Sequence, residues 1–128
     1  MTKAADFGKA WRLAYMKTDY SLIEPMLHPD YRCFDHRMGM ELDFEAEKSL
    51  VETISAFVII GPWKILYEND EAYVATVYSK YKENQPRYIV TMVTGHFKDG
   101  KLFRFELVRE VLDYDPAENQ DWNWEDYE

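Results

Sequence analysis

Asp35 closes the stretch "PDYRCFD" and raises the first chemical question in this chain. A carboxylate that moves protons must be held against an apolar wall, where partial desolvation brings its affinity for a proton closer to neutrality. Tyr31 and Cys33 alternate with Asp35 on one strand face and are candidates for that wall. The same Asp at a strand end could equally cap the turn that follows. Arg109 is the matching cation: Phe103, Phe105, Leu107 and Arg109 alternate along the last predicted strand. If that face lines a cavity, its guanidinium is available to a ligand carboxylate or to Asp35, and pairing would weaken Asp35 as a base. The alternative is a surface or interface salt bridge.

Other chemistry-bearing residues are less organised. His28, His36 and His96 are too scattered for a metal motif, and Cys33 and His36 point to opposite faces of a strand. No metal is expected. His96, near a strand end, is a secondary acid–base candidate. Cys33 has no adjacent base and reads as a small buried hydrophobe. No Gly-rich phosphate cradle is present, so no cofactor is expected.

These residues must be positioned by one domain. The chain has 128 residues, 47% hydrophobic and 16% aromatic. That content suits a lined cavity, a sizeable interface or an ordinary aromatic core. Residues 113–128 carry −7 of the −9 formal charge, leaving the body nearly neutral. The absence of a basic stripe argues against nucleic acid and against an anionic membrane surface. A single cysteine forbids an intrachain disulfide, and no apolar run suggests a signal peptide or a span, so a cytoplasmic location is expected.

Phe7, Ala10, Trp11, Ala14 and Tyr15 recur at helical spacing and predict a helix over 3–17. "LIEPML" reads as a second short helix, "YRCFDH" as a strand and "RMGMELD" as a loop. Asp43 caps a third predicted helix with Phe44, Leu50, Val51, Ile54 and Phe57 apolar. Four strands follow: 58–67 with an interruption at Gly61-Pro62, then "AYVATVYSKY", "RYIVTMVTGHF" and "LFRFELVREVLDY". The last two are joined by "KDGK", a tight hairpin signal. Helices first and a four-strand antiparallel meander after imply an α+β domain, its sheet curled around the helices with a cavity between. The domain spans residues 1–112. Residues 113–128 form an acidic tail with Trp122, Trp124 and Tyr127, either disordered or docked on its own domain, a second copy or a basic partner.

The first helix ending near Thr18-Asp19, then "PDYRCFD", then "FKDGKL" leading into the last strand, resemble the nuclear-transport-factor-2-like superfamily over roughly residues 5 to 112. This superfamily includes the ketosteroid isomerases and the SnoaL-like polyketide cyclases. The resemblance implies a cone-shaped curved sheet with an internal pocket and a homodimer paired through the outer sheet face. It places Asp35, five positions after Asp30, where the isomerases hold their general base. Their hydroxyl donor on the first helix would fall on Trp11, and their later protonated Asp on Met92 or Val93. Met and Val donate nothing, so steroid isomerisation is not expected. Tyr15, one helical turn after Trp11, is a substitute donor.

The resulting expectation is a small apolar ligand, bound by Trp11, Tyr15, Tyr31, Cys33, Met92, Phe105 and Arg109, with Asp35 as catalytic base for isomerisation, cyclisation or dehydration. Trp63, Tyr67, Tyr73, Tyr81 and Tyr88 would line the pocket or a dimer surface. The alternative is a non-catalytic dimeric interaction module whose pocket is plugged by Trp11, Tyr15 and Met92. The scaffold alone does not decide between them.

Overall fold

The apolar stripe of the first segment forms helix α1, Lys3–Lys17, in a computed structural model that describes residues 3–128. Ala4, Phe7, Ala10, Trp11 and Ala14 are buried along it, matching the predicted face. "LIEPML" does not make a second α-helix. Pro25 sits in a single 3-10 turn, Glu24–Met26, and Leu27 already begins strand β1, Leu27–Asp35. "RMGMELD" is not all loop: after a turn with Gly39 at φ +64, Met40–Leu42 pairs back on β1 as strand β2. Helix α2, Phe44–Ile54, starts where the sequence put it, with Asp43 Oδ1 accepting from the Ala46 N–H at 2.8 Å.

Strands β3 (Val58–Glu68), β4 (Ala72–Tyr81), β5 (Arg87–Lys98) and β6 (Lys101–Leu112) form the expected antiparallel meander. The β5–β6 hairpin turns through Asp99 and Gly100, both at positive φ, as its Asp-Gly pair predicts. The full sheet is mixed. Its order is β2-β1-β6-β5-β4-β3, and β1 runs parallel to β6. Register shifts interrupt β3 between Ile60 and Trp63, at Gly61-Pro62, and the β5–β6 ladder between His96 and Phe97. Such bulges bend and twist strands, and they let the sheet curl over α1 and α2.

The core lies between α1 and the concave sheet face. Phe7 stacks on Tyr73 at 5.9 Å and on Phe97 at 5.6 Å, and Trp11 stacks on Phe105 at 5.7 Å. A fully buried ring of this kind is worth about 1.5–3 kcal/mol in area removed from water; Phe97 is only partly buried. Gly95 is required here, since a Cβ would lie 2.2 Å from the Tyr73 ring.

The acidic tail docks on its own domain. Trp124 is buried against Tyr88, and Trp122 stacks near Tyr78. Asp115 accepts from Trp124 Nε1 at 2.9 Å, and Trp124–Tyr127 forms a closing 3-10 turn. Aromatic burial therefore holds a segment that its charge alone would leave in solvent.

Candidate functional site

A cavity of about 320 Å³ lies between the two helices and the concave sheet face. α1 contributes Trp11, Arg12 and Tyr15, and α2 contributes Glu47, Leu50 and Ile54. The strands add Cys33, Asp35, Trp63, Tyr81, Val93, Phe105, Leu107 and Arg109, among others. Met38 and Leu50 are lining residues that also reach solvent, so the cavity opens past them.

Parallel pairing of β1 and β6 sets Asp35 beside Leu107, and Arg109 follows on the same face. Arg109 Nη2 donates to Asp35 Oδ2. The backbone N–H groups of Arg37 and Met38 donate to Asp35 Oδ1 at 2.9 and 3.3 Å. Both readings of Asp35 thus meet in one residue: it lines the cavity, and it caps the turn after its strand. Only 5% of its side chain is exposed, against 24% for Arg109. The pair is a largely enclosed ion pair rather than a surface one.

A second buried carboxylate, Glu47, was not anticipated. It is buried with no cationic partner among the described residues, and desolvation pushes its carboxyl up to about 7. Hydrogen bonds from Tyr31 and Cys33 oppose that rise. Tyr31 OH donates to Glu47 Oε1 at 2.6 Å. The signal was present: Phe44, Glu47, Val51 and Ile54 follow one 3-4-3 stripe of α2, so Glu47 occupies an apolar-face position.

Trp11, Tyr15, Cys33, Phe105 and Arg109 all line the cavity. Tyr31 does not. It is buried in the core beside the cavity and reaches it only through Glu47. Met92 is on the wrong face: Ile89, Thr91 and Val93 point inward on β5, and Met92 is 47% exposed on the outer side. Strand parity selects Val93 of the two positions the sequence offered. Phe103 also leaves the predicted stripe. Leu102 and Phe105 are both buried, so parity shifts beside the bulge, and Phe103 packs edge-on with His28. Trp63 and Tyr81 line the cavity, Tyr73 lies in the core, Tyr88 lies under the tail, and Tyr67 is exposed.

Burial, and then the nearby Glu47 charge, raise the Tyr15 phenol, keeping it a neutral donor. The same two causes raise the Cys33 thiol, which suits a buried hydrophobe and not a nucleophile. Trp11 Nε1, Trp63 Nε1 and Arg109 Nε are buried with no hydrogen-bond partner among the described residues. All three are donors. His28 and His36 pair with Asp99 and Glu106, outside the cavity lining, and His96 is also outside it. Among the described residues, no three His, Cys, Asp or Glu side chains converge as a metal site.

No family model and no curated protein matches the sequence. Solved structures do match its shape. IdmH of Streptomyces antibioticus, a candidate polyketide cyclase, superposes with a TM-score of 0.69 at 12% identity, covering 84% of this chain and 92% of its own. TerC, co-crystallised with polyporic acid, gives 0.65 at 16% identity, covering 84% and 91%. A Catenulispora acidiphila protein of ketosteroid isomerase-like fold, in complex with trimethylamine, gives 0.59 at 14%, covering 84% and 86%. The chain has the nuclear-transport-factor-2-like fold. Within that fold, the cavity between helices and concave sheet is the place where Asp35, Arg109 and Glu47 come together. At these identities the likeness extends to architecture alone. No helix among the described residues is long and apolar enough to cross a membrane.

Proposed function

We propose that the protein binds a small, largely apolar, carbonyl-bearing molecule in this cavity and moves a proton on it without a cofactor. The reaction class is isomerisation, cyclisation or dehydration of the SnoaL-like type. The observation that carries the reading is Glu47, a cavity-lining carboxyl with no cationic partner among the described residues, poised at about 7. Such a group exchanges a proton efficiently near neutral pH. Asp35 has the geometry of an orienting group, because Arg109 and two turn amides already occupy its oxygens.

In this account Glu47 takes a proton from the carbon beside the carbonyl. The Tyr15 hydroxyl, kept protonated by burial, donates to the oxygen on which charge develops. Trp11 and Phe105 supply a flat apolar wall. The cavity volume lies within the range of small-molecule sites, roughly 300–1,000 Å³. Neither Trp11 nor Tyr15 fills it, and Met92 lies outside it, which favours ligand binding over the plugged module. A small molecule crystallised with TerC lends the same support. Homodimer pairing through the outer sheet face belongs to the same reading. Met92 and Val108, exposed cross-strand neighbours, are what it would cover.

The test is a screen of apolar ketones by tryptophan fluorescence, followed by hydrogen–deuterium exchange at the carbon beside the carbonyl. Exchange should rise with pH through about 7. Glu47→Gln should lower it about 10²–10⁴-fold while binding persists. Asp35→Asn should instead weaken binding. Wild-type exchange in Glu47→Gln would move the chemistry to another group, and failure of every ketone to bind would favour the plugged module.

A further inference from the structure

Arg12 is unlike Arg109, the other cation that lines the cavity. It lines the site from α1, and its guanidinium is directed at backbone carbonyls: Nη1 donates to Ile60 O at 2.7 Å and Nη2 to Gly61 O at 2.5 Å. These are the carbonyls of the β3 interruption. The Tyr127 ring of the tail covers the guanidinium at 4.7 Å. Among the described residues, no carboxylate lies within ion-pair distance of it. Arg109, by contrast, is matched by Asp35.

A half-buried cation held only by neutral dipoles and a ring leaves its charge uncompensated. It also has more N–H donors than two carbonyls use. We propose that Arg12 is an anion-recognising subsite, and that the ligand is an acid: a flat apolar body carrying a carboxylate or an ionised phenol. This rests on the small-molecule reading of the cavity and narrows its substrate class.

The tail gives the subsite its rigidity. Trp124 packs on Gly61, where an added Cβ would meet its ring at 3.0 Å, so the tail holds the strand that carries both Arg12 acceptors. Among the described residues, no tail acid forms an ion pair with Arg12. Asp115 serves Trp124 Nε1 and the Ala117 N–H, and Asp126 serves the Asn123 N–H. Their longer-range repulsion of an anion is screened beyond about 8 Å at physiological salt. The acidic tail thus acts as a clamp through its rings, and its carboxylates other than the half-buried Asp115 are exposed.

The experiment compares naphthoate with naphthamide, two probes of one shape that differ in charge, on the full chain at neutral pH. Wild type should bind naphthoate at least about tenfold tighter, a difference of about 1.4 kcal/mol. Arg12→Met should erase the preference and keep amide binding. Tyr127→Leu should shift affinity in the same direction by less. Should Arg12→Met fail to fold, Arg12→Lys, which keeps the charge, should retain the preference. In wild type the Arg12 Nε resonance should move with naphthoate and not with naphthamide. Equal wild-type affinity for the two probes, a preference that survives Arg12→Met, or a stationary Arg12 resonance overturns the subsite and leaves the cavity reading intact. Failure of both probes to bind overturns the cavity reading and this inference with it.

Discussion

Two carboxylates share one cavity and are treated in opposite ways. Asp35 stands at the end of β1 with Arg109 on one oxygen and two turn amides on the other. Glu47 stands on α2 with a tyrosine hydroxyl and a thiol, and no cation among the described residues. Burial alone therefore does not define a working acid. What surrounds the carboxylate decides: a guanidinium and two turn amides occupy the Asp35 oxygens and give it a structural duty, whereas neutral donors leave Glu47 able to hold or release a proton.

The largest effect should come from breaking the matched pair. Arg109→Met leaves Asp35 buried and uncompensated, and should cost about 3–4 kcal/mol of unfolding free energy at neutral pH. The figure sits at the lower end of the usual range because part of the Arg109 side chain reaches solvent. Adding Asp35→Leu should recover most of the loss. Urea unfolding of the single and double variants checks this. A single variant as stable as wild type would remove the contrast.

Removing the unmatched carboxylate should do the reverse. The native state holds the Glu47 proton up to about 7, while the unfolded chain releases it near 4.5. The native state thus binds more protons between these values, so stability falls as pH rises through that window and the penalty is complete above it. At about 1.4 kcal/mol per unit, the full penalty is about 3 kcal/mol. Glu47→Gln, which keeps an acceptor for Tyr31, should therefore be more stable than wild type by up to that amount at pH about 8, and similar at pH about 4. Urea midpoints across pH measure it, and a pH-independent difference would contradict it.

Much of the frame was readable from local pattern. The α1 stripe, the Asp43 cap and the Asp99-Gly100 hairpin each follow from a few neighbouring residues. What was missed depends on distant partners. Strand β2 is three residues long and exists because β1 offers an edge to it. The parallel β1–β6 pairing that joins Asp35 to Arg109 has no local signature. Bulges invert side-chain parity, which sent Phe103 out of the predicted stripe, while a one-residue choice on β5 separated Met92 from Val93. Glu47 was passed over because a charged residue in a helix usually faces solvent, although its place in the apolar stripe marked it. The tail was ambiguous because seven acids argue for solvent and its rings argue for docking. Burial of Trp124 decides for the rings.

The most direct measurement is a carboxyl-carbon NMR titration of Glu47, assigned with Glu47→Gln. A midpoint near 7 is the predicted result, and it would establish an unmatched, proton-exchanging carboxyl in the cavity. A midpoint near the ordinary value of about 4.3 would mean that water or an unrecognised partner stabilises the charge. It would contradict the division of labour between Glu47 and Asp35 on which the proposed chemistry stands.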